Sequence, residues 1–237
     1  METRIERPAA LIPKDVIERA RKFGSALLAD GMKALNLPGD GCMDYTINPV
    51  DSKMSMAGTA FTLESENGDN LPIHLAMKLL EPGYVMVIDG KGYEGKAYLG
   101  DLLVRQAAAM GAVGIVIDGC VRDREELTAL GFPVYARGIM QRGPGKSQPG
   151  RINCPITCAG VPVNPGDLVV GDSDGVTVVP CQHIEHVLAA AGKKAEYEFE
   201  RRSTIADYME AKRNNKPAGN LSPAWVDEQL VQLGVKL

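Results

Sequence analysis

The 237-residue sequence predicts an α/β fold built around parallel strands. The central observation is the stretch 84–123, which reads as apolar strand, glycine-rich loop, helix, second apolar strand and closing loop. A strand at 55–63 and a helix at 73–80 precede it, and a helix at 124–130 and a strand at 132–136 follow. A strand–helix–strand unit with parallel strands brings both of its loops to one sheet edge.

Residues 1–12 read as an arm. Pro13, Lys14 and Asp15 open a helix with Val16, Ile17, Ala20, Phe23, Ala26 and Leu27 at its apolar positions. Gly24 and Ser25 can break it, so two short helices are expected as an alternative, and a further helical piece spans 28–35. A turn at 37–41 and a short extended segment at 45–50 follow, and residues 55–63 alternate as a strand does. Residues 67–70 form a turn, and Pro72 fits the first turn of the helix at 73–80. Residues 84–88 form a buried strand, which Asp89 and Gly90 stop. Glycines at 90, 92, 95 and 100 let the next loop approach a ligand closely.

Asp101 stands at the N-cap position of the following helix, which carries Leu102, Leu103, Gln106, Ala107 and Met110 before Gly111 stops it. The second strand, 113–117, leads into a loop holding Asp118, Arg122 and Asp123. The stretch 138–152 is rich in Gly and Pro and reads as a loop or mobile flap. Three β-like runs, 155–159, 168–171 and 175–180, come next, with turns between them. A long helix runs from Ile184 to about Arg213, and Ser222 and Pro223 cap a short last helix with Trp225, Val226, Leu230 and Leu233.

Composition limits the function classes. Aromatics are only 5%, so the core must be aliphatic. The formal net charge of −4 argues against a nucleic-acid groove binder, while leaving room for a small anionic substrate held by local arginines. Five cysteines, an odd number at low density, point to reduced thiols and a cytoplasmic protein. No secretory leader or membrane-length apolar run is visible, so no membrane partner is expected.

The candidate site follows from the shared sheet edge. Asp101 and Asp123 are hard oxygen donors suited to Mg²⁺ or Mn²⁺. Arg122 offers a planar fork for a carboxylate or enolate oxygen. The backbone N–H groups of Leu102 and Leu103 lack partners inside the helix and can hold an anion. An ion, an arginine and a helix start suit a 2-oxo acid undergoing retro-aldol cleavage or decarboxylation. The plainer alternative is that Asp101 only caps a helix and that Arg122 and Asp123 form a surface pair.

Asp101, followed after twenty residues by Arg122-Asp123, resembles the signature of the divalent-metal-dependent 4-hydroxy-4-methyl-2-oxoglutarate aldolases. Their wider family includes regulators of ribonuclease E activity (RraA-like proteins) and related oxaloacetate decarboxylases. The resemblance runs from about Ala29 to Arg202 and includes Gly68-Asp69-Asn70, Gly100-Asp101-Leu102-Leu103, Gly131-Phe132-Pro133-Val134 and Pro165-Gly166-Asp167. It implies an αββα sandwich of the swivelling β/β/α type, assembled as a trimer or a dimer of trimers. It implies that Asp123 binds the metal directly and that Asp101 holds metal-bound water. Arg122, Gly100 and the Leu102 and Leu103 amides would hold pyruvate. A glutamate from a neighbouring subunit would reach the metal's waters; by spacing it is Glu198, with Glu196 and Glu200 as alternatives. The regulators tend to lack the aspartate after the arginine, so Asp123 favours catalysis over the alternative of a non-catalytic, protein-binding ribonuclease regulator. On this reading residues 1–213 form one domain with a helical arm, and 214–237 form a linker and a short helix.

Other residues carry plainer expectations. His74 is expected to be packed on an apolar helix face or to stand behind the ligands. Lys91 and Lys96 are expected to be solvated or substrate-facing and not Schiff-base nucleophiles. Cys154 and Cys158 are expected to be buried and not half a zinc site. The spacing of the 90–100 glycines does not match a dinucleotide fingerprint.

Overall fold

The structure is a computed structural model that describes residues 4–235. In chain order the first elements are β1 (Arg4–Ile5), α1 (Lys14–Ala34), β2 (Asn48–Pro49), β3 (Met56–Glu64), α2 (Leu71–Ala76) and β4 (Tyr84–Leu99). Then come α3 (Asp101–Ala109), β5 (Gly114–Val121), α4 (Arg124–Leu130), β6 (Val134–Ile139) and β7 (Arg151–Ile152). The last are β8 (Ile156–Cys158), β9 (Val161–Val163), β10 (Leu168–Asp172), β11 (Gly175–Val179), α5 (Ile184–Arg213) and α6 (Ala224–Gln232).

Strands β3, β4, β5 and β6 lie side by side and parallel, with α2, α3 and α4 as crossovers. All of β3 and β5 is buried, which explains why they read as near-continuous apolar runs. Alternate side chains serve two cores. Phe61, Leu63, Met86, Ile88 and Ile117 pack against Ile73, Val104 and Leu127 of the three helices. Ala60, Val85, Val87 and Val116 face the opposite way, onto Val161, Val163, Val169 and Val178. A third core joins that second β layer to α1 and the start of α5 through Leu28, Met32, Val170, Val179 and Leu188. The layers are therefore helix, sheet, sheet, helix, the expected αββα sandwich.

Several elements differ from the sequence reading. The strand beginning at Tyr84 does not stop at Asp89-Gly90; it runs on to Leu99 with three register shifts against β5. Lys91 and Gly92 take φ values of 57° and 65°, so the glycine-rich stretch forms bulges within a strand and not a free loop. Strand β5 likewise continues to Val121, which puts Asp118 inside it. There Asp118 pairs with Arg137 and accepts from the Ala159 N–H at 3.0 Å, facing the second β layer and not the candidate site. Helix α1 kinks at Gly24 (φ 76°, ψ 177°), where Asp172 accepts from both the N–H and the hydroxyl of Ser25 at 2.7 Å. The arm is docked: β1 pairs with β7, and the Ile12 N–H donates to Thr59 Oγ1 at 3.0 Å. Strand β9 escaped the reading because it is three residues long with Pro162 at its centre.

The chain divides into two compact units, Met1–Gly192 and Lys193–Leu237. The division falls inside α5, whose last buried residue is Ala191. Within the second unit, Arg201 donates to the Leu221 carbonyl at 2.7 Å and ties the returning chain to α5.

Phe61 is fully buried and meets Tyr84 edge-on at 5.6 Å between ring centroids. Phe61→Ala should cost about 3–5 kcal/mol of unfolding free energy, measured by equilibrium denaturation of the chain. A loss below about 1 kcal/mol would contradict the packing of the helix-facing core.

Candidate active site

The C-terminal ends of parallel strands are where an open α/β sheet presents its loops to a ligand. Here β4 ends at Leu99 and β5 at Val121, opposite one another in register. The Arg122 N–H donates to the Leu99 carbonyl at 3.0 Å, so the pairing continues one step beyond the strands. Gly100 and Asp101 leave one strand as Arg122 and Asp123 leave the other.

Asp123 closes the arrangement. It adopts the left-handed conformation (φ 62°, ψ 47°), which aspartate tolerates better than most residues. It stands at the N-cap of α4, yet its side chain does not cap that helix. Its carboxylate turns to the other loop, where Oδ2 accepts from the Asp101 N–H at 3.0 Å. Gly100 makes this approach feasible. A Cβ there would lie 2.3 Å from Asp123 Oδ2 and 2.8 Å from Arg122 Cγ.

The expected N-cap moves by one residue: Gly100 caps α3 and Asp101 is its first helical residue. The first backbone bond of the helix runs from Val104 to Gly100 at 3.2 Å. The N–H groups of Leu102 and Leu103 therefore have no acceptor within the helix. Arg122 Nε lies 3.7 Å from Asp123 Oδ2, and its Nη1 is 3.3 Å from where a Cβ of Gly143 would stand.

These groups line a cleft of about 400 Å³, within the range of small-molecule sites. Leu99, Gly100, Leu102, Leu103, Arg122 and Asp123 form one side. Asn70, His74, Gly143, Pro144 and Lys146 form the other. The second side comes from the turn before α2 and the loop after β6. That loop is not a free flap. Gly145 donates to the Gly68 carbonyl at 2.8 Å, Asn70 to the Gly145 carbonyl at 3.0 Å, and Ser147 to Asp69 Oδ2 at 2.7 Å.

Not every expected group points into the cleft. The Asp101 carboxylate takes a 2.6 Å bond from Arg105 Nε one turn along α3, and Asp101 is not among the cleft-lining residues. Glu198, expected to act from a neighbouring copy, belongs to the second unit, where it pairs with Arg202 Nη1 at 3.2 Å. His74 is exposed on the cleft wall and not packed on an apolar face. Lys91 reaches Asp89 Oδ2 at 2.5 Å and Glu64 Oε2 at 3.1 Å. Burial works against its charge, but the hydrogen bonds it donates to those carboxylates outweigh it and hold the ammonium above the ordinary lysine value. A protonated Lys91 is no nucleophile. Cys154 and Cys158 are buried, and burial pushes the Cys158 thiol up.

The sequence reading undervalued Asn70 and Lys146. Asn70 follows β3, whose end shares the edge with β4 and β5, and that topology was the available signal. Lys146 had none, because its loop is placed by backbone bonds to the turn at Gly68, 77 positions earlier than Gly145 in the chain. Gly100→Ala should push Asp123 out of place. We expect a folded protein in which the bond from the Asp101 N–H to Asp123 is lost, seen as altered amide shifts for Asp101 by NMR; unchanged shifts would contradict the close approach.

The profile described as "RraA-like: Aldolase/RraA" matches residues 25–178. A Halalkalibacterium halodurans protein named "Putative 4-hydroxy-4-methyl-2-oxoglutarate aldolase" is 39% identical over 199 residues, covering 84% of this chain and 92% of that one. The Streptomyces coelicolor RraAS2 structure, described as an unusual member of the RNase ES inhibitor RraA protein family, aligns with a TM-score of 0.72. It is 25% identical, with 81% of this chain and 98% of that chain covered. An uncharacterized Pseudomonas syringae protein of known structure also aligns with a TM-score of 0.72 at 25% identity, over 84% of this chain and 96% of that one. The two strand ends, the cleft between them and these likenesses agree: the chain belongs to the RraA-like (aldolase/RraA) family.

Proposed function

We propose that this protein is a divalent-metal-dependent lyase that cleaves a 4-hydroxy-2-oxo acid, such as 4-hydroxy-4-methyl-2-oxoglutarate, to pyruvate, and that it also decarboxylates oxaloacetate. The observation that carries this reading is the convergence on one cleft of the Arg122 guanidinium, the Asp123 carboxylate and the unpaired N–H groups of Leu102 and Leu103. Arg122 and the two amides suit the carboxylate and 2-oxo oxygen of such an acid. Lys146 and His74, on the facing wall, suit a second carboxylate.

The donor set fits a hard cation. The Asp123 side chain is 36% exposed, with one oxygen held by the Asp101 N–H and the other facing no protein donor in the described contacts. Among the described residues no three His, Cys, Asp or Glu side chains form a metal-holding group. A site with one or two carboxylates and bound water is that of Mg²⁺ or Mn²⁺ rather than closed zinc. Asp123 would hold the ion directly and Asp101 would hold its water, after its carboxylate leaves Arg105. When bound, the ion would withdraw electrons from the 2-oxo group.

The chain's own groups supply the rest. In retro-aldol cleavage the C3–C4 bond breaks, its electron pair moves to C3, and the C4 hydroxyl becomes a carbonyl as its proton leaves. Charge spreads from C3 to the 2-oxo oxygen, against which Arg122 is set. We assign the departing proton to Glu198 of a neighbouring copy in a trimer or dimer of trimers, with Glu196 and Glu200 as the other reachable carboxylates. Protonation of C3 then gives pyruvate. Five unpaired thiols support a reducing, cytoplasmic setting, and no helix among the described residues is long and apolar enough to cross a membrane.

The alternative is a protein-binding regulator, since the description of RraAS2 places that protein in the RNase ES inhibitor RraA family. Asp123 and the cation-lined cleft favour catalysis. Chelation should abolish pyruvate release, and Mg²⁺ or Mn²⁺ should restore it; full activity in a verified metal-free preparation would refute the metal-dependent reading. Arg122→Lys keeps the charge but loses the fork, so kcat should fall by about two to three orders of magnitude with the melting temperature retained. Mixed oligomers of Asp123→Ala and Glu198→Ala chains should regain activity that each parent lacks. No recovery despite measured subunit exchange would remove Glu198 from the site.

A further inference from the structure

Tyr98 lies in β4, two residues before Gly100, and its side chain is fully buried in the helix-facing core. A buried phenol needs partners for its hydroxyl. Here the hydroxyl donates to the Gly90 carbonyl at 2.6 Å. The Gly68 N–H donates to the same oxygen. Burial pushes the phenol up to about 12, so it keeps its proton and stays a donor. The ring is placed as closely as the hydroxyl. A Cβ at Gly119 would lie 2.6 Å from Tyr98 Cε2, and one at Gly90 would lie 3.0 Å from it.

The two bonds lead to different parts of the molecule. Gly90 opens the bulged stretch of β4, so the bond from residue 98 to residue 90 closes that stretch at its base. Gly68 belongs to the turn before α2, and that turn rests on the bulge. A Cβ at Gly68 would lie 3.0 Å from Tyr93 Cε1 as well as close to Lys96. The Gly68 carbonyl takes the Gly145 N–H at 2.8 Å, and the Gly145 carbonyl takes the Asn70 N–H at 3.0 Å. Lys146 follows directly. One hydroxyl therefore joins the strand that delivers Gly100 and Asp101 to the turn that carries the facing wall of the cleft. The near wall has its own support. Leu99 pairs with Val121, the Arg122 N–H donates to the Leu99 carbonyl, and the Asp101 N–H donates to Asp123. Loss of the Tyr98 hydroxyl would leave those bonds in place and remove a tie of the facing wall.

We propose that Tyr98 is a positioning residue whose hydroxyl sets the separation of the two cleft walls, and through it the binding of a substrate that spans them. This rests on the lyase reading above and adds the residue that fits the cleft to the length of a 4-hydroxy-2-oxo diacid. Such an acid places one carboxylate and its 2-oxo oxygen on the Arg122 side and its second carboxylate near Lys146 and His74. A displaced facing wall weakens the hold on the second carboxylate and leaves the bond-breaking groups where they were. The product pyruvate has no second carboxylate and engages the near wall alone.

Three measurements test this. In the unaltered protein, NMR should show the Gly68 amide proton in contact with the Tyr98 ring protons, and absence of that contact would overturn the proposal. Tyr98→Phe then removes the hydroxyl and keeps the ring. Its amide exchange should be faster by about tenfold or more at Asn70 and Gly145, while Ala60 and Ile115, whose N–H groups donate to the Asp167 and Pro133 carbonyls, keep their protection. With metal supplied, KM for 4-hydroxy-4-methyl-2-oxoglutarate should rise by about tenfold or more, while kcat and the inhibition constant of pyruvate stay within about threefold of the parent. Unchanged exchange at Asn70 and Gly145, an equal rise at all four amides, or equal weakening of the diacid and of pyruvate would each remove Tyr98 from this role. A parent that releases pyruvate from neither 4-hydroxy-4-methyl-2-oxoglutarate nor oxaloacetate would instead refute the lyase reading, and the exchange comparison would still decide whether Tyr98 holds the wall.

Discussion

The hydrogen bond from the Asp101 N–H to the Asp123 carboxylate holds the site together. It joins the first residue of one helix to the residue before another, across the ends of two parallel strands. Each neighbouring feature serves it. Gly100 has no side chain because the carboxylate occupies that space. Asp123 takes a left-handed backbone so that its side chain turns away from its own helix. Arg122 follows the strand pairing for one further step, which sets its side chain into the cleft. A shift of either strand by one residue would reverse the side-chain directions and dissolve the arrangement.

Much of this was legible because it is local. The apolar runs at 84–88 and 113–117 marked buried parallel strands, and such strands place their outgoing loops at one edge. That alone brought Asp101, Arg122 and Asp123 together. The layered architecture, and the expectation that a glutamate from α5 completes the site, came instead from resemblance. Nothing in the periodicity of residues 155–180 says which sheet they cover. The bulged course of β4 was illegible for a related reason. Glycines at 90, 92 and 95 read as a loop, whereas Tyr93 and Ala97 pair with Gly119 and Cys120 of β5 and keep the stretch in the sheet.

The facing wall was hidden because distant segments build it. The loop carrying Lys146 is placed by hydrogen bonds to the turn at 68–70, and the sequence of the loop itself reports only glycine and proline. Those glycines have a steric reason. A Cβ at Gly145 would lie 2.6 Å from Asp69 Oδ2, and one at Gly68 would lie 2.6 Å from Lys96 Cβ. What looks like flexibility in the composition is close approach in the fold, and the cleft has a rigid second wall in place of a lid.

The bulged strand also separates chain length from site geometry. Between the pairs Ile88–Ile117 and Leu99–Val121, β4 takes eleven steps while β5 takes four. The surplus is spent in bulges, between the regular pairing that ends at Ile88 and the closing pair Leu99–Val121. The segment works as an expansion joint. Residues can be gained or lost within it while the anchors at Ile88 and Leu99 stay where β5 puts them, so the outer surface beside the cleft can be rebuilt by insertion at constant separation of Asp101 and Asp123. Redesign of neighbouring contacts has room here that the six-residue helix α2 and the stitched loop after β6 do not offer.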